Sequence, residues 1–303
     1  MKPDLRVNIA GVECKNPITT ASGTFSITDS SAFYDPHILG AITTKGVSSV
    51  KWDGNPSPRI AETYGGMLNA VGLQNPGADY FLENEVPLLK KADTNIIVNL
   101  AGHSVEEYVE VASKLNKCSE IDMFELNISC PNVKEGGIGF GTDPNLAYEV
   151  TKAVKEVVNK PLIVKLSPNV TDITVIAKAV EKAGADAISL INTLLGMRID
   201  INRGKLILAN KTGGFSGPAI KPVAIRMVYQ VSRAVNIPVI GLGGITTVED
   251  VIEFLMAGAD AVAIGSAALM DPLAVPRIVE NLEKYMIEHN YASIADIKNR
   301  FKD

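Results

Sequence analysis

Short apolar runs alternate along this chain with longer stretches in which apolar residues recur every three or four positions. The short runs are Pro17–Ala21, Ala41–Lys45, Asn95–Leu100, Met123–Ile128, Leu162–Leu166, Ala187–Ile191, Val239–Leu242 and Ala261–Ile264. Most are continuous rather than alternating, the pattern of strands covered on both faces. The longer stretches, Val105–Lys117, Asn145–Val158, Ile173–Ala183, Lys221–Val235 and Val248–Met256, carry the helical period. Strands alternating with helices predict a parallel sheet. Eight of them predict an α/β fold of the TIM type, a closed (β/α)8 barrel.

An internal repeat supports the barrel. Pro161–Leu166, a helix and Ala183-Gly184-Ala185-Asp186-Ala187 resemble Pro238–Gly243, a helix and Ala257-Gly258-Ala259-Asp260-Ala261. In each copy the glycine reads as a left-handed helix cap ahead of the next strand. No low-complexity or linker-like segment interrupts the chain, so residues 1–303 read as one domain, within the size range of such barrels. Arg6–Cys14 reads as a short hairpin ahead of the barrel and Met197–Leu208 as a hairpin inserted near its mouth. Lys134–Thr142 reads as a mobile glycine-rich loop.

Composition narrows the function classes. Hydrophobic residues are 46% and charged residues 21% of the chain, enough for a large core and unlike a disordered chain. The net charge of -5 argues against a nucleic-acid or anionic-membrane footprint. No apolar run approaches the ~20 residues of a spanning helix, and the polar N-terminus is unlike a signal peptide. The three cysteines, Cys14, Cys118 and Cys130, form no disulfide framework and no C-x-x-C pair, which fits a reducing cytoplasm. Three are too few for a four-cysteine iron–sulfur cluster.

Barrel enzymes carry their sites at the C-terminal ends of the strands. The residues there are Ala21-Ser22-Gly23, Thr44-Lys45-Gly46, Asn99, Asn127 through Asn132, Lys165, Asn192-Thr193, Gly243-Gly244 and Gly265-Ser266. One polar residue at a strand end is a turn; so many on one rim point to a site. The two glycine-containing pairs after the seventh and eighth strands fit a phosphate seat built from backbone N–H groups. Taken singly, each is a tight turn. Lys165 is the only charge in an apolar run and needs an anionic partner. It suits a Schiff-base nucleophile, a cation beside a reduced flavin, or a structural ion pair, for which Glu125 is the nearest candidate. Lys45 raises the same question. A lone cysteine is most often an inert buried thiol, but Cys130 stands on the rim, where a lowered pKa would let it act as a general base. No histidine lies near it in sequence. Asn69, Asn99, Asn127, Asn132 and Asn192 offer donors and acceptors that match a heterocycle with alternating N–H and C=O groups. The rim lacks the carboxylates and histidines of a metal site.

These residues resemble the class 1 dihydroorotate dehydrogenases. The likeness is carried by Ala21–Phe25, Thr44–Gly46, Asn69–Gly77, Asn127–Asn132, Asn192–Met197, Gly213–Pro222 and Gly241–Thr246, in order along nearly the whole chain. The strings Asn-x-Ser-Cys-Pro-Asn and Gly-Leu-Gln-Asn-Pro-Gly are the specific ones. Leu73–Gly77, Asn192–Met197 and Gly213–Pro218 favour subtype B, the NAD-linked form. Class 2 members carry a membrane extension and a serine base, whereas Cys130 stands at the base position here.

The resemblance implies one FMN across the barrel mouth, held by Ala21, Ser22, Lys45, Gly46, Asn99, Asn127, Lys165, Ile191, Gly217, Gly243, Gly244, Gly265 and Ser266. It implies a pyrimidine held by Lys45, Asn69, Gly72, Leu73, Asn127, Asn132, Asn192 and Thr193. By the same likeness Cys130 takes the C5 proton of dihydroorotate as a hydride leaves C6 for flavin N5, Lys165 offsets charge at the flavin N1/O2 edge, and Lys45 completes the catalytic set. The chain carries no G-x-G-x-x-G after a strand and no cysteine cluster, so reduction of NAD needs another polypeptide. Subtype B implies such a partner, with FAD and a 2Fe–2S cluster, in a heterotetramer built on a homodimer of this chain. Other readings of the same residues are a dihydropyrimidine dehydrogenase-type flavin subunit, a fumarate-linked subtype A enzyme, a Schiff-base aldolase using Lys165, and a non-catalytic phosphate-binding barrel.

Overall fold

The computed structural model describes residues 2–129 and 139–302. Each of the eight apolar runs contains a barrel strand: β1 (Ile18–Thr20), β2 (Ala41–Thr43), β3 (Asn95–Leu100), β4 (Met123–Asn127), β5 (Leu162–Lys165), β6 (Ala187–Leu190), β7 (Val239–Leu242) and β8 (Ala261–Ile264). All pairings are parallel and sequential, and β8 returns to β1, so the sheet closes into a (β/α)8 cylinder.

The helices lie outside and bury one stripe each. In α1 (Val105–Leu115) the buried residues are Tyr108, Val111, Ala112 and Leu115, and Ser104 caps the N-terminus by accepting from the N–H of Glu107. The same logic builds α2 (Pro144–Lys155) and α3 (Ile173–Lys182), capped by Asp143 and Asp172. α4 (Lys221–Ser232) buries one stripe without a side-chain cap, and α5 (Val248–Met256) is capped by Thr247. After the last strand and the short helix Ser266–Met270 come two longer helices, α6 (Ala274–Glu288) and α7 (Ile294–Arg300). They were not among the expected elements, although Val275, Ile278, Leu282 and Met286 of α6 are spaced as one buried helical face.

The repeated Ala-Gly-Ala-Asp-Ala works as a clasp. Gly184 and Gly258 adopt φ of 102° and 114°, the left-handed region that terminates each helix. The aspartate that follows reaches back to the start of the preceding strand. Asp186 accepts from the N–H of Leu162 at 2.7 Å, and Asp260 from that of Val239 at 2.8 Å. Asp122, ahead of β4, does the same for Ile96 at 2.7 Å.

The expected N-terminal hairpin is present, with Val7–Ile9 antiparallel to Val12–Cys14. Its Ile9 and Cys14 join Ala41, Ile97, Met123, Ile163, Ala187, Ile240 and Ala261 in one buried cluster. The hairpin therefore plugs the cylinder at the strand N-termini. The inserted hairpin is also present, pairing Ile199–Asp200 with Lys205–Leu206.

A second sheet stands at the mouth and was not anticipated. Its antiparallel order is Leu194–Met197, Thr212–Ser216, Gly66–Asn69 and Ile60–Thr63. Only Ala61, Leu68, Ala70 and Leu208 form its buried cluster, so its strands lack the long apolar runs that betray the barrel. No helix among the described residues is long and apolar enough to cross a membrane.

Candidate active site

The C-terminal ends of β3 to β6 bring buried polar side chains together. Register sets them side by side: Asn99 pairs with Glu125, Asn127 with Lys165, and Lys165 with Ser189. Glu125 is the hub. Its Oε1 accepts from Asn99 Nδ2 at 2.6 Å and lies 3.7 Å from Lys165 Nζ, and its Oε2 accepts from Ser189 Oγ at 2.7 Å. Both charged partners are about 95% shielded from solvent, with side-chain exposures of 5% for Lys165 and 6% for Glu125. Glu125, the candidate partner for Lys165, is therefore paired with it, embedded in a hydrogen-bonded set that offsets the desolvation of two charges. Lys45 has other neighbours. Burial pushes its ammonium pKa down, the Arg59 guanidinium adds to the shift, and the carboxylate of Glu85 opposes it. Glu85 is in turn pushed up by burial.

One atom in this set is unmatched. Asn99 gives its amide N–H to Glu125, and its Oδ1 is buried without a hydrogen-bond partner. A side chain on Gly46 would put its Cβ 3.0 Å from that oxygen, and 3.7 Å from Leu73 Cδ2. Gly46 thus keeps open the space beside Asn99 and Leu73.

A few ångströms along the rim, Asn127 Oδ1 accepts from Ser129 Oγ at 2.5 Å and from Asn192 Nδ2 at 3.4 Å. Asn192 also donates to Ser129 Oγ, and its Oδ1 accepts from the N–H of Thr193 at 2.7 Å. Tyr108, on α1, fixes this strand end by donating its hydroxyl to the Asn127 carbonyl at 2.5 Å. Two of the asparagines expected around a heterocycle are therefore in contact, and Ser129 joins them. The mouth sheet brings in the third. Asn69 is in register with Gly214 and donates to its carbonyl at 3.5 Å, and a Cβ on Gly214 would strike Thr193. Gly72 and Leu73 follow, both with positive φ (75° and 52°).

Of the glycines expected to hold a cofactor, Gly217 and Gly244 make tight backbone approaches, while Gly243 and Gly265 sit against side chains. Gly217 has φ 120°, and a Cβ there would lie 2.5 Å from Gly66 Cα. Gly244 has φ 81°, and a Cβ there would lie 2.8 Å from Lys221 Cβ and 2.9 Å from the Gly217 carbonyl oxygen. Gly243 sits against Ile191, whose preceding peptide is cis, and Gly265 sits against Ala21. The N–H of Ala21 donates to the Ile264 carbonyl at 2.8 Å, carrying Ser22 to the same end as Ser266. Sequence reasoning passed over Lys221, although the string Gly213–Pro222 contains it. Its ammonium contacts Asp250 and Glu253, each at 2.7 Å, and these partners raise its pKa. Asp250 also caps α5. Burial pushes its carboxyl up, but Lys221, Thr246 and Thr247 outweigh that and hold it below the ordinary carboxylate value.

Cys130, Pro131 and Asn132 lie outside the described residues, as does most of the loop Lys134–Thr142. The described residues hold no cluster of three or more potential metal ligands. A cleft of about 560 Å³ lies at the opposite end of the cylinder, lined by Lys15, Asp93, Asn95 and Asp122 among others. Its acids and bases already serve each other and the strand starts, as Asp122 does for Ile96.

Polar groups converging on the carboxyl ends of eight parallel strands define the chain as an enzyme-type (β/α)8 barrel. Comparison with known proteins then gives the family. The dihydroorotate dehydrogenase family model matches residues 4–286, and the chain belongs to that family, a family of oxidoreductases. It is 58% identical over 298 residues to the "dihydroorotate dehydrogenase B (NAD(+)), catalytic subunit" of Alkaliphilus metalliredigens, covering 98% of both chains. It is 59% identical over 292 residues to the protein so named from Lachnoclostridium phytofermentans, covering 96% of this chain and 97% of the relative. The corresponding protein of Anoxybacillus flavithermus is 55% identical over 297 residues, covering 98% and 95%.

Proposed function

We propose that this chain oxidises dihydroorotate to orotate in pyrimidine biosynthesis, with FMN at the barrel mouth, and delivers the electrons to NAD+ through a partner subunit. The observation that carries the reading is the partnerless Asn99 Oδ1. It is an acceptor buried beside the space that Gly46 leaves open, on the same rim as the Lys165 ammonium and the positive-φ glycines Gly217, Gly243 and Gly244. Those are the demands of a flavin nucleotide: an N–H to satisfy, an anionic edge to offset and a phosphate to cradle. The residues present fit it.

Lys165, Asn99, Asn127, Lys45 and Gly46 would hold the ring, Ala21, Ser22 and Ile191 would flank it, and Gly217, Gly243, Gly244, Gly265 and Ser266 would hold the phosphate. Bound there, FMN supplies the acceptor for the hydride. The chain's own residues do the rest. Lys45, Asn69, Asn127, Asn132, Asn192 and Thr193, with the backbone of Gly72 and Leu73, would orient the substrate; a six-membered ring held on both edges loses the freedom that slows reaction in water. Cys130 takes the C5 proton as a thiolate. Lys165 places a fixed cation where negative charge develops, in a site that excludes water and so strengthens it.

The relatives' names call them catalytic subunits, which supports a second, electron-transfer subunit for this chain. We assign that partner the FAD and 2Fe–2S cluster and the assembly a heterotetramer around a homodimer of this chain, in the cytoplasm. The three cysteines of this chain are too few for a four-cysteine cluster. The test is purification with and without a co-expressed partner. One FMN per chain and orotate formation by the chain alone with an artificial acceptor are expected, with NAD+ reduction only in the complex. A chain that stays colourless and inert after FMN is supplied would end the proposal.

A further inference from the structure

Among the described residues, Glu125 is the only buried carboxylate on a barrel strand. Three strands supply its partners: Asn99 from β3, Lys165 from β5 and Ser189 from β6. Buried ion pairs are often no more stabilising than apolar groups of the same shape, so stability alone gives little reason for this one. The consequence for Asn99 gives a better reason. An ionised carboxylate only accepts hydrogen bonds. Asn99 must therefore turn its NH2 toward Glu125, and its Oδ1 the other way, into the space that Gly46 leaves open. That oxygen is buried and unmatched, a costly arrangement unless a ligand donor meets it.

We propose that Glu125 is a positioning residue: its carboxylate fixes the polarity of the Asn99 amide, so that Oδ1 accepts the N–H on the pyrimidine edge of the flavin, and it holds the Lys165 ammonium at the same rim. This rests on the flavin reading above. The oxidised flavin edge offers one N–H set between two carbonyls, so a wrongly turned Asn99 would face donor with donor. Glutamine at 125 both donates and accepts, which releases Asn99 to either orientation. It also leaves the Lys165 charge unopposed, and an unopposed cation favours the reduced, more negative flavin.

The test is carried out on the full chain: FMN titration of flavin-stripped protein, the midpoint potential of the reloaded protein, and thermal unfolding. Glu125→Gln is expected to bind FMN about tenfold more weakly, the order of one lost buried hydrogen bond, with a midpoint potential displaced to more positive values. Glu125→Asp, which keeps the charge, recovers part of both. Ser189→Ala removes one donor to Glu125 and only a hydroxyl's volume, and moves both quantities the same way by less. A folded Glu125→Gln with wild-type FMN affinity and potential overturns the proposal. If that variant does not fold, Ser189→Ala decides: unchanged affinity and potential overturn it, a shift in both supports it. Wild-type chain that takes up no FMN removes the flavin reading and this proposal together.

Discussion

The two ends of the cylinder are made of the same eight strands and solve opposite problems. At the strand N-termini the interior is closed by the Val7–Cys14 hairpin, and Ile9, Cys14, Ile97, Met123 and Ile163 pack there as an apolar cluster, with Asn95 donating to the Cys14 sulfur at its edge. The exposed backbone at that end is met by the aspartates ahead of β4, β6 and β8. Burial drives the thiol of Cys14 up to about 11, against the Asn95 hydrogen bond and with the Asp122 and Glu13 carboxylates adding to it, so it stays protonated and inert at neutral pH. At the other end the interior holds a lysine, a glutamate and two asparagines, one with an oxygen left unmatched. The first end is what a core looks like when stability is its whole task. The second carries polar groups that would be hard to justify without a ligand.

Four substitutions probe that contrast, in order of expected effect. Cys130→Ala should lower turnover by about 10²–10⁴-fold, the usual loss of a general base, while FMN content and unfolding temperature stay at wild-type values. Near-normal rates in steady-state assays would remove Cys130 from the chemistry. Ile163→Ala, at the plugged end, should do the reverse. Ile163 is fully buried, and denaturant unfolding should show a loss of about 2–5 kcal/mol, with the rate per folded molecule unchanged. A large rate loss in that variant would mean the two ends are coupled. Gly244→Ala should weaken FMN binding in a titration and destabilise the chain by roughly 1–3 kcal/mol, because alanine would occupy a strained positive φ with its Cβ against Lys221 and the Gly217 carbonyl. Wild-type affinity would argue against a phosphate at this turn.

The smallest effect is in the pH dependence. The Asp250 carboxyl is held below its ordinary value in the fold, so its contribution is complete at neutral pH, above the unfolded value. It is lost as acid carries the pH down through the folded value. The stability gap between wild type and Asp250→Asn should therefore narrow on acidification. A gap that widens in acid unfolding curves would reverse the assignment.

Much of the closed cylinder was legible in the sequence because its strands are buried on both faces and read as unbroken apolar runs. The mouth sheet was not, since residues such as Ile60, Leu195 and Met197 are exposed and leave no contrast between inside and outside. Among site residues, those that break an apolar strand stood out: Lys165 was visible as the single charge in Leu162–Leu166. Its pairing with Glu125 could be named as a candidate, but Asn99 and Ser189 join them only through strand register. Ser129 lay inside a quoted string yet had no assigned part until its contacts with Asn127 and Asn192 were seen. Lys221 opens a helix in sequence and gives no hint there of Asp250, twenty-nine residues on.

The seam between the first and last strands has a further consequence for how the chain is made. Thr19 Oγ donates to the carbonyl of Val262, a bond spanning 243 residues, and Val262 pairs with Ile18. During synthesis the first barrel strand has only the second to lean on until the eighth has left the ribosome. Contacts so distant in sequence are slow to form, so the nascent chain passes through a stage with two unpaired strand edges, when protection from aggregation matters most.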